Sequence, residues 1–130
     1  MNEALDKQLC EKYPKIFKDR HASMQETCMC WGICTGDGWY NILDQLCGNI
    51  QHHIDWKEKT SNSIEQVVAS QVKEKFGTLR FYYTGGDDII DGMVQMAESM
   101  SGVTCEECGA SGKTKGGGWL STRCEAHTNK

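Results

Sequence analysis

Val68-Ala-Ser-Gln-Val72-Lys-Glu-Lys-Phe76-Gly77-Thr-Leu79-Arg-Phe81-Tyr-Tyr83 is the stretch on which the architecture turns. Val68, Val72 and Phe76 alternate with polar positions, and Leu79, Phe81 and Tyr83 do the same beyond Gly77. Period-two apolar runs separated by a short glycine-containing turn predict a β-hairpin with one buried face. Lys73, Lys75, Arg80 and Tyr82 then share the opposite face, because successive strand side chains point to opposite sides.

Outward from the hairpin the pattern changes to a helical one. Gly85-Gly86 breaks the second strand, and Asp87 or Asp88 can cap a helix whose apolar stripe is Ile89, Ile90, Met93, Val94, Ala97 and Met100. Gly102 stands where a terminating glycine is expected. Upstream, beyond the polar linker 57–63, Trp39, Ile42, Leu43, Leu46, Cys47, Ile50 and Ile54 follow the spacing of one buried helical stripe. Gly36-Asp37-Gly38 makes the turn before it, with Asp37 as the expected cap rather than a ligand-binding group. A first helix over residues 3–12 buries Leu5, Leu9 and Cys10 and ends before Pro14. Residues 15–35 lack periodicity, but Ile16, Phe17, Met24, Met29, Trp31 and Ile33 make them apolar enough to pack inward or cover a sheet. The expected class is α+β: amphipathic helices on a small antiparallel hairpin or sheet.

The C-terminus carries the clearest chemistry. Cys105-Glu-Glu-Cys108 is followed, after 15 residues, by Cys124-Glu-Ala-His127. Disulfides or free thiols are the alternatives, but two short pairs at this spacing suit one tetrahedral zinc ion, and histidine cannot join a disulfide. Gly109 permits the tight knuckle after Cys108. Four protein ligands close the coordination sphere, so the expected ion is structural. The glycine-rich segment around it cannot bury enough surface to fold alone. We therefore expect a core over 1–101 and a zinc module over 102–130 packed upon it.

Composition excludes rather more than it assigns. At 38% hydrophobic and 25% charged residues, the chain reads as an ordinary globular protein. Its net charge of −4, or −5 with three thiolates and one zinc ion, argues against indiscriminate nucleic-acid binding but not against a local basic patch. No apolar window approaches membrane-spanning length, and the acidic N-terminus lacks a signal peptide's features. Eight cysteines without such a signal are expected in a reducing cytoplasm.

Gly36 to Tyr40, Val72 to Tyr82, Thr104 to His127 and the loop Tyr13-Pro14-Lys15-Ile16-Phe17 together resemble a small family of uncharacterised bacteriophage and prophage proteins with a C-terminal zinc-knuckle module. The resemblance spans most of the chain. It implies a bacterial host cytoplasm as the setting and transfers no catalytic residue.

Other constellations have plain alternatives. Lys73, Lys75, Arg80 and Tyr82 could grip phosphates and stack a base, with Lys113, Lys115 and Arg123 extending the patch, or could simply be a solvated face. Cys28, Cys30, Cys34 and Cys47, with His21, His52 and His53, could hold a second metal, although cysteine is commonly a small buried hydrophobe. The pair His52-His53 superficially resembles an HNH nuclease but lies far from the cysteine pairs, and a deaminase would need a His-x-Glu that is missing. Of Trp31, Trp39, Trp56 and Trp119, any exposed one would serve as an interface anchor. The leading expectation is a non-enzymatic accessory protein that binds and modulates a bacterial host protein, including one of defence, or a viral protein. A nucleic-acid binder using the hairpin face is the alternative, and a metal-dependent nuclease the second alternative.

Overall fold

The computed structural model describes residues 1–22 and 27–128, and the fold is α+β. Met24 of the apolar loop lies outside the described residues. The hairpin forms as strands β2 (Val68–Lys75) and β3 (Thr78–Thr84), antiparallel, with Val72 opposite Phe81 and Lys73 opposite Arg80. An irregularity between Ala69 and Gln71 inserts a residue into the pairing. Ala69 and Val72, three positions apart, consequently both reach the core. That bulge corrects the simple alternation predicted from Val68, which is only half-buried. Phe76 is a second correction. It occupies the turn, 65% exposed, rather than the buried face.

Phe76 and Gly77 both have positive φ, 55° and 85°, as a two-residue hairpin turn that follows the strand twist requires. Glycine or asparagine adopts this conformation readily, whereas a bulky aromatic residue does not. Phe76→Asn should therefore raise stability by about 1 kcal/mol, read as a thermal midpoint about 4 °C higher. A lower midpoint would mean that the ring contributes to packing after all.

Strand β1 (Ile33–Cys34) adds to β2 in parallel, giving the order β1-β2-β3. Two residues are too short to show periodicity, so only the inward packing of the loop was foreseeable. Ile16, Phe17, Met29 and Ile33 are buried as expected, but Trp31 is 67% exposed.

Helix α1 (Glu3–Lys12) is capped by the Asn2 side chain, which accepts from the Leu5 N–H at 2.9 Å. It contributes Leu9 to the core and a buried carboxylate, Asp6. Asp6 accepts from Arg20 Nε at 2.9 Å and from the Ile33 N–H at 2.8 Å, tying α1 to the loop and to β1.

Helix α2 (Tyr40–Glu58) buries every residue of its predicted stripe after Trp39, and Trp39 itself is fully buried. Helix α3 (Asp88–Ser101) starts at Asp87, whose carboxylate accepts from the Ile90 N–H at 3.1 Å. Its stripe is narrower than predicted: Ile90, Val94 and Ala97 are buried, while Ile89 and Met100 are turned outward. Gly102 ends the helix in a right-handed conformation (φ −71°), so no left-handed cap operates there.

β3 lies at the sheet edge, and α3 covers its free donors. Leu79 N–H donates to Ser101 Oγ at 2.8 Å and Phe81 N–H to Glu98 Oε2 at 3.0 Å, which blunts the edge against pairing with another chain. Among the described residues no helix is long and apolar enough to cross a membrane.

Candidate metal centre

Two local turns build the centre. The first carries Cys105 and Cys108: Cys105 N–H donates to Ala110 C=O at 2.7 Å, and Gly109 N–H donates to Cys105 C=O at 2.9 Å. Gly109 has φ +82°, the left-handed turn that the knuckle requires. Strands β4 (Lys113–Lys115) and β5 (Ser121–Arg123) pair antiparallel and return the chain to the second turn. There Cys124 precedes a short 3-10 helix, Glu125–His127, and accepts at its carbonyl from Thr128 Oγ1 at 2.6 Å.

The side chains of Cys105, Cys108, Cys124 and His127 converge, with one ligand atom from each within 4.8 Å of the others. Cys108 Sγ lies 3.7 Å from Cys124 Sγ. His127 Nδ1 is 3.1 Å from Cys124 Sγ and 3.8 Å from Cys105 Sγ. Metal–sulfur bonds of about 2.3 Å in a tetrahedron put neighbouring sulfurs about 3.8 Å apart, so the spacing fits one ion at the centre. The four side chains are gathered closely enough for one ion to lie among them.

Electrostatics favour the thiolate at two of the four groups, Cys124 and Cys105. The His127 imidazole beside it pulls the Cys124 thiol down to about 6, and the thiolate in turn raises His127. Burial opposes ionisation of Cys105, but backbone N–H groups of Cys124, Cys108 and Glu107 outweigh it and hold that thiol below its ordinary value. The Ala110 N–H lowers Cys108 too, but desolvation and the neighbouring Cys124 and Cys105 outweigh it, so that thiol is raised. Outside the centre, burial raises two thiols. Burial, with Asp6 alongside, pushes Cys10 up to about 12, and burial raises Cys47 as well.

The centre is seated on the core by the turn over residues 36–39. Gly38 N–H donates to Glu106 C=O at 2.7 Å, Gly36 N–H donates to Glu106 Oε2 at 2.8 Å, and Trp39 Nε1 donates to Thr104 C=O at 2.9 Å. A Cβ at Gly38 would stand 2.6 Å from both Glu106 O and Gly109 N. Asp37 is not the helix cap. Its carboxylate accepts from the N–H and Nδ2 of Asn2, fastening the N-terminus instead. The paired glycines were the available signal, since two backbones can pack this closely only where side chains are absent. At the far end of the module Thr122, fully buried, donates through Oγ1 to Gly77 C=O at 2.6 Å, joining it to the hairpin turn.

Other predicted groups meet different fates. Lys73, Lys75, Arg80 and Tyr82 do share one sheet face, with Lys73 directly opposite Arg80. Among the described residues none of the three cations forms an ion pair, and Arg80 Nε is buried without a hydrogen-bond partner. Arg123 is engaged by Glu107, whereas Lys113 and Lys115 are exposed. Among the described residues Cys28, Cys30, Cys34 and Cys47 join no second metal-ligating group, and Cys47 is packed in the core. His53 Nε2 meets Asp87 Oδ2 at 2.9 Å, linking α2 to the start of α3. Asp55 accepts from Gln51 at 2.9 Å and His52 is exposed, so His52, His53 and Asp55 do not gather around a metal position. No protein-family model, curated protein or solved structure matches this chain, so the centre's role rests on its own atoms.

Proposed function

We propose that this is a non-enzymatic, phage-type accessory protein, stabilised by one structural zinc ion, that binds and modulates a host or viral protein in the bacterial cytoplasm. Cys105, Cys108, Cys124 and His127 supply the soft, tetrahedral donor set that zinc favours. Once filled, that set leaves no position for an activated water, which makes the ion a brace rather than a catalyst.

The observation that carries the binding role is a methionine-lined groove between α2 and α3. It encloses about 530 Å³ between Asn41, Gln45 and Asn49 on one helix and Met93, Met96 and Met100 on the other. Met96 is 64% exposed, and no charged residue lines the groove. Flexible thioethers on an uncharged surface suit an apolar helix laid between the two walls. Gly92, exposed, lines the same groove with nothing within 4 Å of where a Cβ would stand. A glycine inside a helix costs about 1 kcal/mol relative to alanine, and nothing in the monomer's packing offsets that cost. Close approach by a partner would.

A protein captured from infected bacteria by the wild-type chain should be lost on Met96→Glu, while the thermal midpoint stays within about 2 °C. Retention of the same partner by Met96→Glu would count against the groove.

The unpaired cations of the hairpin favour nucleic-acid binding as a second reading. Under it, joint replacement of Lys73, Lys75 and Arg80 by Glu abolishes a salt-sensitive mobility shift without unfolding the protein.

A further inference from the structure

Two of the most exposed aromatic side chains come together where the hairpin turn meets the β4–β5 loop. Trp119 is 81% exposed and Phe76 65%, and both line one cleft of about 330 Å³ with Lys75, Gly118 and Leu120. Trp119 also borders a second cleft, of about 280 Å³, lined by Lys113, Lys115 and Arg123. Trp119 thus belongs to both an aromatic cleft and a basic one. Gly117 and Gly118, beside it in the loop, have nothing within 4 Å of a would-be Cβ, so a backbone can pass close to the ring. Rigidity comes from beneath: Thr122 holds Gly77, and a Cβ on Gly77 would touch Thr114 at 2.9 Å.

Neither aromatic residue is explained by folding. Phe76 holds a left-handed conformation that a smaller residue would adopt more easily, and Trp119 packs little of its surface. Lys75 Nζ lies 5.5 Å above the Phe76 ring, and among the described residues Lys75, Lys113 and Lys115 have no acidic partner. Glu74, also in the first cleft, is occupied by the Gly77 N–H at 2.7 Å. Exposed rings flanked by ammonium groups without acidic partners match unpaired bases on a phosphate backbone; a duplex would hide the base faces.

We infer that Phe76 and Trp119 form a stacking platform for single-stranded nucleic acid, with Lys75, Lys113 and Lys115 as its phosphate contacts. The inference deepens the second reading above and moves its centre from the Lys73–Arg80 face to the turn. The probe is an oligothymidylate of about 12 nucleotides, with oligouridylate alongside, titrated at low salt. Binding should quench tryptophan fluorescence and weaken as salt rises. Trp119→Ala and Phe76→Asn should each weaken it about ten-fold, and joint Lys113→Glu and Lys115→Glu should also flatten the salt dependence. Phe76→Asn is expected to favour the fold, so a loss of binding with the thermal midpoint held or raised reports the ring and not unfolding.

Binding that survives Trp119→Ala but disappears on joint replacement of Lys73, Lys75 and Arg80 would overturn the platform and keep the second reading. No binding of either oligonucleotide would overturn both, including the case in which Trp119→Ala instead releases a captured protein. Met96→Glu should leave oligonucleotide binding intact, so the helical groove stands or falls separately.

Discussion

Replacing Cys108 by Ser is expected to empty the C-terminal metal centre and unfold the segment built around it. Cys108 is exposed and free of the apolar core, so the effect of the change comes from the lost ligand rather than from a cavity. Without the ion, the two knuckles and the β4–β5 ribbon have little apolar burial to hold them: of residues 104 to 127, only Cys105, Glu106 and Thr122 are buried. Binding free energy in such a site is folding free energy. Elemental analysis should find about one zinc per wild-type chain and almost none in Cys108→Ser, and the thermal midpoint should fall by roughly 10 °C or more. Amide exchange should accelerate across residues 104–127, and Trp39 emission should shift because its Nε1 loses the Thr104 carbonyl. Metal-free protein with native protection in that segment would defeat this account. A stoichiometry near two would return attention to Cys28, Cys30 and Cys34.

The second large effect is expected from a single methyl group far from the ligands in sequence. Gly38→Ala places a Cβ against three backbone atoms, those of Cys105, Glu106 and Gly109, none of which can rotate away. Either the Gly36–Trp39 turn lifts off the knuckle, losing the bonds from Gly38 and Gly36 to Glu106, or the knuckle itself distorts. A cost of about 3 kcal/mol follows, at the upper end of overpacking effects, together with faster metal loss to a chelator. Gly117→Ala is the control, since its Cβ would meet nothing within 4 Å, and it should change the midpoint by less than about 2 °C. Should Gly38→Ala match the control in both stability and metal retention, the turn would not be the seat of the centre.

Much of this was legible in residue order because it depends on local periodicity. The α2 stripe from Ile42 to Ile54, the hairpin centred on Val72 and Phe81, the Asp87 cap and each of the ligand pairs Cys105/Cys108 and Cys124/His127 are specified by neighbours a few positions apart. Hydrophobic spacing and ligand spacing are short-range signals, and they survive without tertiary information.

What the chain alone could not disclose depends on contacts between distant segments. One extra residue near Ser70 resets which side of β2 faces inward, and a strand as short as Ile33–Cys34 is defined only by its partner. Asp37 resembles a helix cap locally, yet the nearby Asn2 draws its carboxylate away. Gly36 and Gly38 acquire their purpose only when a knuckle 70 positions downstream settles on them. Phe76 and Trp119, unremarkable in their own windows, become neighbours because Thr122 docks on Gly77. Local sequence specifies which elements form, but long-range packing decides which surfaces they bring together, since those free energies reside in pairs that no short window contains.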